Sequence, residues 1–92
     1  MVKINETITI WHPMTEVPKE RNKDYLIHFQ DTTMNTKPKE RIMIDTLNSW
    51  GEWLFFEFKK SSFPYEEAAY YHKTNPFYRA VEWCELPGVD NG

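Results

Sequence analysis

The sequence predicts an α+β fold, in which a small and mostly antiparallel sheet of about five strands carries one short helix. Several segments alternate apolar and polar residues or are rich in β-branched and aromatic side chains, which is typical of strands. One segment has the composition of a helix start. A chain of 92 residues forms a single domain over residues 1–92, because either half alone would bury too little surface to fold.

The first predicted strand is Thr7–Trp11, where β-branched residues dominate. Pro13 and Pro18 bracket the next segment, which we expect to be irregular because proline lacks the N–H that a sheet ladder needs. After a charged turn, Tyr25–Gln30 alternates and predicts a second strand. The polar segment 31–39 has no residue able to anchor a core and predicts an exposed hairpin loop.

The middle of the chain predicts two further strands, Arg41–Leu47 and Glu52–Phe58. Asn48, Ser49 and Gly51 between them have turn chemistry, so we expect these strands to form a hairpin. The fourth strand is apolar on both faces, which places it centrally in the sheet, covered on both sides or with one face against a partner.

A helix is predicted over residues 62–72. Ser62 and Pro64 resemble a helix start, and Glu66 and Glu67 would lie in a first turn that the helix dipole favours for acids. A loop over residues 73–76 would lead to a last strand, Tyr78–Glu85.

The charge and the cysteine content limit the classes of function. A net charge of −3 lacks the excess of Lys and Arg with which proteins usually bind duplex DNA. Cys84 is the only cysteine, so no internal disulfide forms. No segment resembles a signal peptide or approaches the length that spans a membrane. We therefore expect a protein of the host-cell cytoplasm without a membrane partner.

The reactive side chains are scattered. The histidines lie in three different predicted elements and have no metal-ligand spacing: His12, His28 and His72. Cys84 lies within a predicted strand, where a lone cysteine more often behaves as a small buried apolar residue than as a nucleophile. The three glycines form no phosphate-binding loop. We expect no catalytic residue, no metal and no cofactor, and hence no enzyme.

Two segments resemble a known family. Residues 11–19 read Trp-His-Pro-Met-Thr-Glu-Val-Pro-Lys and resemble the opening Trp-x-Pro-Ile-x-x-x-Pro-Lys of a domain-of-unknown-function family of small phage and prophage proteins. Residues 83–87 match its closing Trp-x-x-Leu-Pro, and residues 50–53 are comparable with its Gly-Trp or Trp-Trp hairpin. Glu82 stands where that family has His. The resemblance implies a phage protein that acts on host machinery and carries over no catalytic residue.

Aromatic residues make up 16% of the chain, which is more than so small a core can enclose. Exposed rings contribute disproportionately to protein interfaces, so the leading hypothesis is a protein-binding module, a phage-encoded inhibitor or modulator of a host defence protein. The alternative is that the rings only cover the sheet. The segment 50–58 and a second aromatic cluster supply the candidate binding residues, which are Trp50, Trp53, Phe56, Phe58, Tyr65, Glu66, Glu67, Tyr70, Tyr71 and Phe77.

Two other functions stay open. Sheet aromatics could stack bases of a single-stranded nucleic acid while basic residues follow its backbone; the candidates are Lys37, Lys39, Arg41, Lys59 and Lys60. The protein could also be a structural or assembly component that associates with itself as a homo-oligomer.

Overall fold

The computed structural model describes residues 9–33, 37–62 and 67–86. Within them the chain forms strands and no helix: β1 (His12–Pro13), β2 (Lys23–Asp31), β3 (Lys39–Leu47), β4 (Phe56–Lys59), β5 (Ala69–His72) and β6 (Asn75–Glu85). All six belong to one antiparallel sheet, in the order β3-β2-β6-β5-β4, and β1 pairs with β6. The described part of the chain is therefore all-β, and the predicted α+β class is wrong.

The segment predicted as a helix contains β5 instead. Ala69–His72 pairs with β4 on one side and with β6 on the other. Tyr71 is buried, and its hydroxyl donates a hydrogen bond to the carbonyl oxygen of Glu67 at 2.8 Å. A short helix depends on packing for its stability, and adjacent tyrosines are more favourable in a strand. Residues 63–66 of the predicted helix start lie outside the described residues.

The first strand begins later than predicted. Residues 9–11 are not in a strand, residues 7 and 8 lie outside the described ones, and β1 comprises His12 and Pro13. These two pair with Trp83 and Glu82 of β6. In the described part of the chain β1 pairs with β6 alone, so the missing N–H of Pro13 costs no ladder hydrogen bond to a described strand on the other side.

β2 and β3 form the hairpin that the polar loop predicted, with Lys23 opposite Leu47 and Asp31 opposite Lys39. The predicted hairpin of the third and fourth strands forms only beside its turn, where Leu47 and Trp53 make an isolated antiparallel bridge; β4 does not continue that pairing. β4 lies at the opposite end of the strand order from β3, so residues 48–55 carry the chain from one end of that order to the other. The central position belongs to β6, which has β2 along one edge and both β5 and β1 along the other.

The hydrophobic core covers one face of the sheet. Alternate residues of β2 (Tyr25, Ile27 and Phe29) are buried there. The ring of Tyr25 meets Trp53 edge-on at 5.8 Å and Trp83 at 5.1 Å. Enclosing each such ring contributes about 2 kcal/mol. The core thus connects residues from the opening, middle and closing segments of the chain.

The opposite face, here called the outer face, carries the other residues of the same strands. Leu26 and His28 of β2 lie beside Ile44 and Ile42 of β3 and beside Cys84 and Glu82 of β6. Cys84 is buried, whereas both isoleucines are exposed. No helix in the described ranges is long and apolar enough to cross a membrane.

Candidate functional site

A tight turn follows β3. The side-chain oxygen of Asn48 accepts hydrogen bonds from the backbone N–H groups of Trp50 and Glu52, each at 2.9 Å. The backbone of Asn48 closes the same turn by accepting from Gly51 at 3.1 Å and donating to Glu52 at 2.9 Å. Gly51 has a φ of +80°, which glycine adopts without the steric cost of a Cβ. These hydrogen bonds therefore fix the backbone conformation around Trp50.

A buried carboxylate holds the chain where it leaves this turn. Asp45 of β3 is 1% exposed, and its two carboxylate oxygens accept the N–H of Phe55 at 3.1 and 3.0 Å. The first of them also accepts the N–H of Thr46 at 2.6 Å. Burial raises the pKa of Asp45, and the backbone N–H groups of these residues and of Leu54 oppose that rise. A buried carboxylate with hydrogen-bond donors on both oxygens is a strong positional constraint.

Further contacts fix the turn on both flanks. The guanidinium of Arg21 donates to the carbonyl oxygen of Ser49 at 3.2 Å. Leu47 and Trp53 form an isolated antiparallel bridge, and Trp53 is buried in the core. The segment Asn48–Phe55 is called here the Trp50 loop. It is held near its tip by Arg21, at Trp53 by the bridge to Leu47, and at its end by the Asp45 carboxylate.

The tip of the Trp50 loop is strongly exposed. Trp50 is 78% exposed, and Leu54 and Phe55 are exposed as well. The ring of Phe55 stacks on His72 at 5.9 Å, with 4° between the planes, and its carbonyl oxygen accepts the N–H of Lys73 at 2.8 Å. Tryptophan is highly buried on average, so an indole displayed by an ordered turn is a candidate contact residue.

The structure separates the predicted binding residues into three groups. Trp53, Phe56 and Tyr71 are buried, so their expected exposure is not found. Trp50, Phe58, Glu67 and Phe77 are exposed, and Tyr70 is half-buried against Phe58 with ring centroids 5.5 Å apart. Tyr65 and Glu66 lie outside the described residues.

The exposed members do not form one site. Phe58 and Tyr70 lie on β4 and β5, whereas Phe77 is the third residue of β6, where its carbonyl oxygen accepts from the N–H of Thr32 at 2.9 Å. The carboxylate of Glu67 is paired with the guanidinium of Arg79. Gly51 and Glu52 of the Trp50 loop line one cleft together with Phe58 and Tyr70, whereas Phe77 and Glu67 do not line it.

Sequence reasoning missed the cluster at the centre of the outer face. The Nδ1 atom of His28 lies 2.8 Å from a carboxylate oxygen of Glu82, and its Nε2 lies 2.5 Å from one of Glu40. Trp11 meets the imidazole edge-on at 6.0 Å. The hydrogen bond from His28 lowers the pKa of Glu40. The strand alternation could have placed these groups on one face, but only the pairing register brings them into contact.

The side chains of this cluster link neighbouring strands, because His28 of β2 contacts Glu82 of β6 and Glu40 of β3. Both ring nitrogens of His28 lie within hydrogen-bond distance of carboxylate oxygens, one of Glu82 and one of Glu40. Neither nitrogen is left for a metal ion. No group of three or more His, Cys, Asp or Glu side chains suited to a metal occurs within residues 9–33, 37–62 and 67–86.

Cys84 lies on the same outer face. It is buried between the strands that flank it, and burial raises the pKa of its thiol, with Glu82 and Glu85 adding to the rise. A raised pKa lowers the thiolate fraction, which is the nucleophilic form. This arrangement suits a packing role for the sulfur.

The two segments that carry the family resemblance are in contact. The ring of His12 stacks on Trp83 at 4.4 Å, and the indole N–H of Trp83 donates to the carbonyl oxygen of Glu16 at 2.6 Å. The side chains of His12 and Glu16 also pair at 2.8 Å. Contacts between the opening and closing motifs therefore hold β1 against β6.

The basic residues considered for nucleic-acid binding are divided. Lys39 and Arg41 belong to β3, and Lys59 belongs to β4 at the other end of the strand order. Arg41 pairs with Asp31 and Lys59 with Glu57, each at 3.2 Å. Lys39 and Arg41 therefore lie on a different strand from Lys59, and these two strands are at opposite ends of the strand order.

Comparisons of the chain with protein-family models, with curated proteins and with solved structures give no match. The resemblance to phage and prophage proteins consequently stays a prediction from the quoted motifs.

Proposed function

We propose that the protein is a non-catalytic protein-binding module that contacts its partner through the Trp50 loop. The observation that carries the proposal is an indole 78% exposed at the tip of a turn whose backbone is closed by the Asn48 side chain. Tryptophan is among the residues that contribute most to binding energy at protein interfaces.

The anchoring of the loop supports this function. Ordering a flexible loop on binding costs conformational entropy, and a loop that is already ordered avoids much of that cost. The buried Asp45 carboxylate and the Arg21 contact provide such order before any partner arrives. The exposed Leu54 and Phe55 extend the apolar surface beyond the indole.

The class of partner follows from the family resemblance. If the opening and closing motifs mark a phage protein, the partner is a host protein, and the module acts as its inhibitor or modulator. This part of the proposal rests on the motifs in residues 11–19 and 83–87.

Affinity capture with matched variants tests the proposal. Tagged wild-type protein, Trp50→Ala and Val17→Ala are immobilised in equal amounts and exposed to bacterial lysate. Val17 is 42% exposed and lies outside the Trp50 loop, so its variant controls for the loss of any surface side chain. We expect the wild type and Val17→Ala to retain the same protein, and Trp50→Ala to lose it by tenfold or more. Equal retention by all three would reject the Trp50 loop as the contact surface.

A further inference from the structure

We propose that two copies of the protein associate through their β3 strands, which pair antiparallel and join the two sheets into one. β3 is the terminal strand of the sheet, with β2 on one side. In the described part of the chain its other edge meets only the start and end of the Trp50 loop, where Leu54 donates to the carbonyl oxygen of Thr46 at 2.9 Å.

The Thr46 contact shows which backbone groups this edge presents. Its carbonyl oxygen is directed away from β2, towards Leu54. Successive residues of a strand direct their backbone groups to opposite sides. Ile44, Ile42 and Glu40 therefore direct their N–H and C=O groups towards the open edge, while the residues between them bond to β2.

The side chains along this edge are unusual for an exposed strand. Natural edge strands are commonly protected by charges, proline or bulges near their middle. Here the middle carries Ile42 and Ile44, which are 59% and 51% exposed, on the outer face. The exposed charged residues of the strand (Lys39, Glu40 and Arg41) lie at its start, and Asp45 near its end is buried on the core face.

The open edge of β3 is long enough to pair with a second copy of β3, and the two ends of this edge allow a single register. The edge runs from Lys39, preceded by Pro38, to Asp45, followed by the Thr46 position that Leu54 occupies. Its centre is Ile42. An antiparallel copy centred there places Ile42 opposite Ile42 of the second copy and pairs every outward backbone group from Glu40 to Ile44.

This register also brings no like charges opposite each other. Glu40 faces Ile44 of the second copy, Arg41 faces Met43, and Lys39 faces Asp45. Like charges placed directly opposite would destabilise a strand pair. A shift of two residues in one direction would place Glu40 opposite Thr46 of the second copy, where the backbone of Leu54 already lies. A shift of two residues in the other direction would place Arg41 opposite Arg41, which is a pair of like charges.

Cysteine cross-linking tests both the association and its register. In the proposed pair the two Ile42 Cα atoms lie about 5.5 Å apart, within the range of about 4.4–6.8 Å that a disulfide spans. The two Ile44 positions are offset by about four residues, or roughly 13 Å. Ile42→Cys and Ile44→Cys are matched variants, because both replace an exposed isoleucine of the same strand face.

We expect a disulfide-linked dimer of Ile42→Cys under mild oxidation, and little of Ile44→Cys or of the wild type, whose Cys84 is buried. Sedimentation of the wild type should show a concentration-dependent dimer, and Ile42→Lys should raise its dissociation constant at least tenfold. Trp50→Ala should leave the dimer intact, which separates this inference from the proposed function.

Three results would overturn the inference. One is a wild-type monomer over the whole concentration range. Another is cross-linking of Ile44→Cys as efficient as that of Ile42→Cys, which would mean a different register. The third is slow thiol labelling of a monomeric Ile42→Cys, which would show that another segment of the same chain covers this edge.

Discussion

Asp45 combines burial with a full set of backbone donors, which makes it the residue on which the path of the Trp50 loop depends most. A carboxylate enclosed beside β3 costs desolvation free energy, and the N–H groups of Thr46, Leu54 and Phe55 offset part of that cost. The sequence predicted a strand over Arg41–Leu47 but did not distinguish Asp45 from an exposed acid. The role of Asp45 could not be predicted from the sequence, because two of its three donors, Leu54 and Phe55, belong to a later segment that folds back onto β3.

The raised pKa of Asp45 predicts a pH dependence of stability. Its protonated form is favoured by folding, so its contribution is fully present below about pH 3.8, the ordinary value, and is lost as the pH rises through the higher folded pKa. The free energy of unfolding of the wild type minus that of Asp45→Asn should therefore decrease between pH 3 and pH 7, as measured by urea denaturation.

The comparison with Asp45→Asn isolates this effect. Asp31 and Glu40 have lowered pKa values and change wild-type stability in the opposite sense, but they are common to both proteins and cancel in the difference. A difference that stays constant or grows with pH would contradict the proposed environment of Asp45.

At the scale of elements, the strands with clear alternation were predicted well. β2, β3 and β6 extend the segments predicted at 25–30, 41–47 and 78–85 by a few residues only. β5 was mistaken for a helix, because Ala and Glu near it resemble a helix start while its pairing with β4 and β6 depends on distant residues. The predicted pairing of the third and fourth strands holds only beside the turn at Asn48–Gly51, where Leu47 and Trp53 form a bridge. Beyond Leu54 the chain leaves β3, and β4 pairs with β5 instead.

The turn at the tip of the Trp50 loop gives a second prediction. Gly51→Ala should lower the free energy of unfolding by about 1 kcal/mol, because an alanine at a φ of +80° is strained. The added Cβ would also lie 3.1 Å from the guanidinium of Arg21, which can move aside. Urea denaturation measures the change.

Gly51→Asn provides the matched control. It adds the same Cβ, but asparagine tolerates positive φ better than alanine, so it should cost less. Equal stability of Gly51→Ala and the wild type would show that the turn does not hold this conformation in solution.

At the scale of the whole molecule, β6 joins the parts of the sheet, since it pairs with β2, β5 and β1. The surplus of aromatic residues predicted that some rings would be exposed, and Trp50, Phe58 and Phe77 are. Which rings these would be could not be predicted, because burial of Trp53 and Phe56 depends on the path of residues 48–55 across the sheet. The contact between the opening and closing motifs likewise follows from the register of β1 and β6.

The position of Cys84 on the central strand predicts slow thiol chemistry. It is buried, and its pKa is raised chiefly by burial. Labelling by a thiol reagent should be at least 100-fold slower in buffer than in denaturant and should accelerate with urea along the unfolding curve. Rapid labelling of the native protein would contradict the central placement of β6.

Trp50 must be both exposed and held in a fixed turn for the proposed function, and backbone ¹⁵N relaxation with indole hydrogen exchange measures both properties. We expect the Trp50 amide to have an order parameter near 0.85, the value typical of rigid backbone, while its indole N–H exchanges rapidly. In Asn48→Ala, which removes the oxygen that accepts the Trp50 and Glu52 N–H groups, the order parameter should fall towards 0.6 or below. A mobile Trp50 amide in the wild type, or a slowly exchanging indole, would contradict the account.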